Sequence, residues 1–219
     1  MYHLVAGLYA EFTKKPKYNA LLIGLKGSGK TWILERLRHD HLQGRAPSQR
    51  LPPTIGQNVL DIPYRRATLH LWDLGGSASM RSLWDQYLPD AHVIVWVVDA
   101  PRWASDAAVP GEPEPAYRAA MAAELCPIVA EASARAQPVC VVVTQLDELA
   151  PERATPLVQE IEASLTAEWM HRLDDTSLHC TLTPIWLFQG VSAATGDGMD
   201  AMLDAMFDQA RLFASRAGA

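Results

Sequence analysis

Residues 20–31 read ALLIGLKGSGKT. Four apolar side chains run into a glycine-spaced loop that ends in a lysine and a threonine. The spacing is GxxxxGK[ST], at Gly24, Gly29, Lys30 and Thr31, and it needs a strand before it and a helix after it. The apolar run and the stretch at 31–41 supply both. Glycines at 24, 27 and 29 allow backbone turns that aim N–H groups at phosphate oxygens. The helix start adds the positive end of a dipole. Lys30 reaches β- and γ-phosphates, and the Thr31 hydroxyl suits Mg²⁺. Alone, the loop specifies a nucleoside triphosphate and nothing finer.

Outward from this loop, short apolar or β-branched runs lie at 20–23, 59–64, 68–72, 92–98, 139–143 and 184–188. Those at 20, 92, 139 and 184 are nearly all apolar, as strands are when both sheet faces are covered. The runs at 59 and 68, joined by Arg65-Arg66-Ala67, read as an antiparallel hairpin. Helical stretches at 31–41, 80–87, 116–136, 155–172 and 199–214 alternate with the strands. The pattern predicts one α/β domain with a mainly parallel, six-stranded, doubly wound sheet. Residues 101–115 contain PGEPEP and read as a Pro-rich loop insertion.

Three further motifs narrow the ligand. Thr144-Gln145-Leu146-Asp147 follows a buried run, and a buried Asp147 carboxylate there would accept from guanine N1–H and its exocyclic amine, a donor pair adenine lacks. Ser192 and Ala193, after the last run, would support the base from the other side. Asp73-Leu74-Gly75-Gly76 places Asp73 to hold a water on Mg²⁺ and the Gly76 N–H to meet a γ-phosphate. Thr54, in PTIG, is a second hydroxyl for Mg²⁺ when triphosphate is bound.

Composition bounds the rest. The 219 residues suffice for one domain, and 49 % are hydrophobic. Cys126, Cys140 and Cys180 are odd in number and show no CxxC spacing, which reads as reduced thiols in a cytosolic compartment. The run at 93–98 is too short to cross a bilayer, and no secretory signal is evident. The net charge of −6 gives no reason to expect a nucleic-acid partner. All five lysines lie within residues 1–30; they suit an anionic membrane surface, although Lys26 and Lys30 also serve the phosphate loop.

GLKGSGKT, PTIG and WDLGG, with SLWDQYLPDAHVIVWVVDA at 82–100, resemble the Arf family of small GTPases in order and spacing. MYHLVAGLYAEF and KYNALLIGLKGSGKT resemble its ADP-ribosylation-factor-related subgroup. The resemblance implies that residues 24–31, including Leu25, Lys26 and Ser28, form the phosphate loop. It implies GTP/GDP and Mg²⁺ as ligands, Thr54 in switch I, switch II opening at Asp73, and a hairpin at 59–72 that slides in register on GTP binding. It also implies an exchange factor, a GTPase-activating protein and Golgi effectors, with a peripheral place on Golgi or trans-Golgi membranes.

Four positions depart from the family. Ser77 stands where a glutamine orients the attacking water, so Lys30, Thr54, Gly76 and Ser77 as a catalytic set predict slow hydrolysis. Gln145 replaces the lysine of the base motif. Gln57 replaces a phenylalanine of the effector surface beside Trp72 and Tyr87. Tyr2 replaces the glycine that N-myristoylation needs.

Met1, Val5, Leu8 and Phe12 fall at helical spacing, followed by Lys14, Lys15 and Lys17. Residues 1–17 read as an amphipathic helix and basic link suited to a membrane interface, with residues 18–219 as the GTPase domain. The alternative is a helix packed on its own domain. One such helix binds weakly and needs a second signal; the subgroup resemblance implies a Golgi membrane receptor in that role. His39 and His41 read as solvated, Trp103 and Trp169 as surface or packing residues, and Glu112 and Glu114 as solvated. Two rival functions remain: a GTP-loaded adaptor that does not hydrolyse, and a P-loop kinase or ATPase.

Overall fold

The structure, a computed structural model, describes residues 15–45, 51–106, 116–175, 185–187 and 190–217. The expected amphipathic helix at the N-terminus, Glu112, Glu114, Cys180 and the Trp169 side chain lie outside the described residues.

Among the described residues, six strands form one sheet: β1 Lys17–Ile23, β2 Gln57–Tyr64, β3 Ala67–Leu74, β4 Val93–Asp99, β5 Val139–Thr144 and β6 Ile185–Leu187. Their order is β2-β3-β1-β4-β5-β6. β2 is antiparallel to β3, and every other pairing is parallel. The parallel doubly wound sheet therefore stands as expected. All seven residues of β4 and all six of β5 are buried, because helices cover both faces. Side chains alternate: Leu21, Ile23, Ile94 and Trp96 enter one core, Ala20, Leu22, Val93 and Val95 the other.

The helices are α1 Lys30–Leu42, α2 Trp84–Tyr87, α3 Ala100–Ser105, α4 Tyr117–Ala134, α5 Pro151–Asp175 and α6 Met199–Ala217. Among the described residues no helix is long and apolar enough to cross a membrane. α1 starts at Gly29, which has φ 90° and offers no side-chain cap, so its first amides face the loop without an internal partner.

Three local expectations need correction. Residues 101–115 do not begin as a loop. Pro101 lies in the first turn of α3, where its fixed φ is no obstacle, and Asp99 caps that helix by accepting from the Arg102 backbone N–H at 2.9 Å. Residues 107–115 lie outside the described residues. The stretch at 80–87 is not one helix but a 3-10 turn, Ala78–Leu83, followed by α2. The hairpin turn holds only Arg65 and Arg66; Ala67 is already paired with Tyr64.

Candidate functional site

A cleft of about 840 Å³ opens where the carboxyl ends of β1, β3, β4 and β5 meet the loops after them. Lys30 and Asp147 both border it. Lys26, Gly27, Ser28, Gly29, Thr31, Thr54, Gly76, Ser77, Thr144, Gln145 and Ala193 line it too. Gly24, Leu25, Asp73 and Ser192 stand behind the wall. Leu25 is core, and the Ser192 hydroxyl accepts from the Thr195 N–H at 3.1 Å, holding the loop that carries Ala193.

The loop backbone is tightly confined. Gly24 has φ +145°, and a Cβ there would stand 2.5 Å from the Val97 carbonyl of β4. Lys30 folds back: its ammonium donates to the Gly24 and Leu25 carbonyls at 2.8 and 2.9 Å and to the Ser28 hydroxyl at 3.2 Å. Burial pulls its pKa down to about 8; Asp73 opposes that shift, and the Arg81 and Arg102 cations reinforce it.

Below the lysine, three segments converge. The Thr31 hydroxyl donates to Oδ2 of Asp73 at 2.7 Å and lies 2.8 Å from the Thr54 hydroxyl. Asn58 donates to the same Oδ2 at 3.0 Å. Asp73 is fully buried, and among the described residues its Oδ1 has no hydrogen-bond partner. A buried carboxylate oxygen without a donor is costly. Hard oxygen ligands beside it are the set that Mg²⁺ takes, so these residues fit the ion. Thr54 is brought here by its neighbours: Gly75 N–H donates to the Gly56 carbonyl at 3.0 Å. Trp84 Nε1 donates to the Gly75 carbonyl at 3.1 Å from the other side.

Gly76 packs directly on the loop; a Cβ there would overlap the Gly24 carbonyl and stand 2.8 Å from the Lys26 nitrogen. Ser77 is half-buried at the cleft, its hydroxyl 3.2 Å from that of Ser79.

On the base side, Gln145 donates through Nε2 to the Gly27 carbonyl at 3.2 Å, and Thr144 reaches the Ser28 carbonyl at 2.7 Å. The β5 end is thus stitched to the phosphate loop. Asp147 corrects the sequence reading in one respect: its carboxylate is exposed at the cleft's rim, not buried. It sits on the 3-10 turn Leu146–Glu148, just past the sheet, where the protein alone does not cover it.

Sequence reading missed Arg102, Asn58 and Arg81. Arg102 lies in the stretch whose prolines point to a loop insertion. Arg81, buried, pairs with Glu124 at 2.9 Å and donates to the Gly76 carbonyl at 3.3 Å.

A model of the ADP-ribosylation factor family matches residues 5–107. Over that span the chain resembles the family. It is 41 % identical over 101 residues to ADP-ribosylation factor-like protein 3 of Saccharomyces cerevisiae, covering 46 % of this chain and 51 % of that one. It is 35 % identical over 103 residues to human ADP-ribosylation factor-related protein 1, with the same coverage. The chain thus matches about half the length of these curated relatives. In fold it resembles the Trypanosoma brucei Arl6 BBS3 small GTPase solved with GppNp, with a TM-score of 0.59, 19 % identity, and coverage of 89 % of this chain and 98 % of that one. It also resembles the mammalian SRP receptor structure, with a TM-score of 0.62, 20 % identity, and coverage of 86 % and 99 %. These two show the fold alone, that of a small GTPase. The residues after 107, Gln145 and Asp147 among them, stand on their geometry.

Proposed function

We propose that the chain binds GTP and GDP with Mg²⁺ and works as a molecular switch. The observation that carries this is the meeting of Thr31, Thr54 and Asp73, from three separate segments, under a lysine-closed phosphate loop whose cleft also reaches Asp147. The glycine turns and the uncapped start of α1 suit the phosphates. The lysine offsets their charge. Asp147, at the rim, is placed to read the purine once a base covers it. Mg²⁺, when bound, would neutralise the β- and γ-oxygens. Thr54 is the ligand that distinguishes triphosphate from diphosphate in this reading.

Hydrolysis would be in-line attack of water on the γ-phosphate, with charge taken up by Lys30 and by backbone N–H groups. Ser77 is too short to orient that water, so intrinsic turnover is slow. Membrane recruitment through residues 1–17, aided by a Golgi membrane receptor, and work with exchange factors, activating proteins and Golgi effectors complete the proposal. Its support is the family resemblance of the N-terminal half.

Binding of mant-GDP against mant-ADP, with and without Mg²⁺, tests the nucleotide reading. Micromolar or tighter mant-GDP binding with weak mant-ADP binding is expected. Equal affinities would favour a kinase or ATPase. Ser77 also favours a second reading, an adaptor that stays loaded with GTP. The nucleotide carried by the purified protein separates the two: GDP for a cycling switch, GTP for the adaptor.

A further inference from the structure

Five consecutive carbonyls of the phosphate loop are each held by a side chain. Lys30 takes those of Gly24 and Leu25. Arg102 donates through Nη1 to the Lys26 carbonyl at 2.7 Å, Gln145 to that of Gly27, and Thr144 to that of Ser28. The described chain holds no cis peptide, and in a trans peptide a carbonyl and the next N–H point in opposite directions. Pinning the Lys26 and Ser28 carbonyls therefore turns the Gly27 and Gly29 N–H groups the other way. The Ser28 N–H meanwhile donates across the loop to Leu25 at 3.2 Å.

Of the three clamps from outside the loop, Arg102 alone is charged. Its guanidinium is itself fixed, with Nε 3.3 Å from Oδ2 of Asp99, a carboxylate that is 2 % exposed at the end of β4. Nη2 lies 2.9 Å from where a Cβ on Gly27 would be, so the glycine admits the guanidinium. Arg102 also borders the cleft.

We propose that Arg102 is a positioning residue for the diphosphate of the bound nucleotide: it sets the outer turn of the phosphate loop from the β4–α3 junction and adds a second fixed cation beside Lys30. This rests on the nucleotide-binding reading above. The chemistry it recognises is a β-phosphate, so its contribution vanishes for a nucleotide that lacks one.

The test is competition of GDP and of GMP against mant-GDP on the full chain with Mg²⁺, plus the mant-GDP release rate. Arg102→Ala should release GDP about tenfold faster and weaken GDP about tenfold or more, the scale of one charge-assisted hydrogen bond, with GMP affinity almost unchanged. Arg102→Lys should recover most of the loss. Arg102→Gln, which keeps a donor without charge, should recover less and show a flatter salt dependence. These two variants carry the test if Arg102→Ala does not fold. GDP and GMP affinities that fall together, or that do not fall, overturn the proposal, as does an Arg102→Gln protein as tight as the wild type. A wild-type chain that ignores mant-GDP refutes the nucleotide reading, and this proposal with it.

Discussion

The Thr31 hydroxyl donates to Oδ2 of Asp73 at 2.7 Å, joining the first turn of α1 to the end of β3. Neither residue is near the other in sequence; parallel pairing of β1 with β3 brings them together. The other carboxylate oxygen, Oδ1, is buried and has no hydrogen-bond partner among the described residues. A ligand that supplies positive charge there relieves a desolvation cost of about 1–3 kcal/mol. Mg²⁺ removal by chelator should therefore speed mant-GDP release by about tenfold or more in the wild type. In Asp73→Ala the release should already be fast and should respond little to chelator. A variant that keeps the full chelator response would exclude Asp73 from the ion's shell.

The Lys30 ammonium makes a pH prediction with a definite sign. Its pKa in the folded chain, about 8, lies below the ordinary 10.5 because burial disfavours the charge. A bound diphosphate favours the charged form and raises the value again. Near neutral pH the lysine is charged with or without ligand, and no proton moves. Between about 8 and 10.5 the free chain has lost that proton and binding restores it. GDP affinity should fall with rising pH in this window, by at most about tenfold per unit. Calorimetry at about pH 9, in buffers of different ionisation enthalpy, should find proton uptake on binding. The free chain's stability runs the other way. The unfolded state binds more protons in the same window, so this group's contribution rises from about pH 8 to 10.5. Zero proton uptake would mean that Lys30 does not meet the phosphates.

The loop at 24–31 and the order of strands were legible because each rests on local chemistry: glycine spacing, and apolar runs of strand length. Asn58 was not, and the reason is a single residue. Placing Ala67 in the hairpin turn shifts the β2–β3 register by one. That pairs Asn58 with Leu74, when its true partner is Asp73. A one-residue slip changes every cross-strand neighbour, so the donor to the buried carboxylate stayed hidden. Arg102 was missed because prolines at 101, 110, 113 and 115 suggested unbroken loop. The first of them instead opens a helix. Exposure of Asp147 was unreadable, since it depends on how far the turn after β5 projects.

Trp103 shows how much core the same misreading concealed. The ring is 1 % exposed, its Nε1 donates to Glu160 at 3.3 Å, and the Arg118 guanidinium lies 5.0 Å from its centre. Trp103→Ala should cost about 3–5 kcal/mol of stability by urea unfolding. Trp103→Phe, which keeps most of the packing, should cost about 1–2 kcal/mol. A loss below about 1 kcal/mol for the alanine variant would show that α3 contributes little to the core.

Ser77 predicts a gain of activity. Its hydroxyl meets Ser79 at the cleft and has no reach beyond it. Ser77→Gln supplies an amide on a longer side chain at the same point. Single-turnover GTP hydrolysis should rise by about tenfold or more, given the 10²–10⁴ range for positioned proton-handling groups. A rate that stays flat, even with an activating protein present, would mean that some other group orients the water.

The last prediction concerns the hairpin. The Tyr64 hydroxyl donates to Asp204 of α6 at 2.6 Å, and Arg65 pairs with both Asp204 and Asp208. The Arg65 guanidinium also lies 5.2 Å from the centre of the Phe207 ring. Burial, with the acceptor Asp204, pushes the Tyr64 pKa up to about 12, so the phenol stays a donor at any working pH. Sliding β2 and β3 past β1, from the register that pairs Lys17 with Thr68, would pull the turn off α6 and break these contacts. In the same conformation Thr54 meets Thr31, the arrangement assigned above to the triphosphate state. The latch should thus favour that state. Tyr64→Phe removes one hydrogen bond in a partly exposed site, and should lower the preference for GppNHp over GDP by about threefold to tenfold. Arg65→Ala should act in the same direction. Phe is a good strand residue, and Tyr64 does not line the cleft, so the change acts through the hairpin's register and not through a direct contact with nucleotide. If the GppNHp-to-GDP ratio is the same in both variants as in the wild type, the turn's attachment to α6 has no part in the switch.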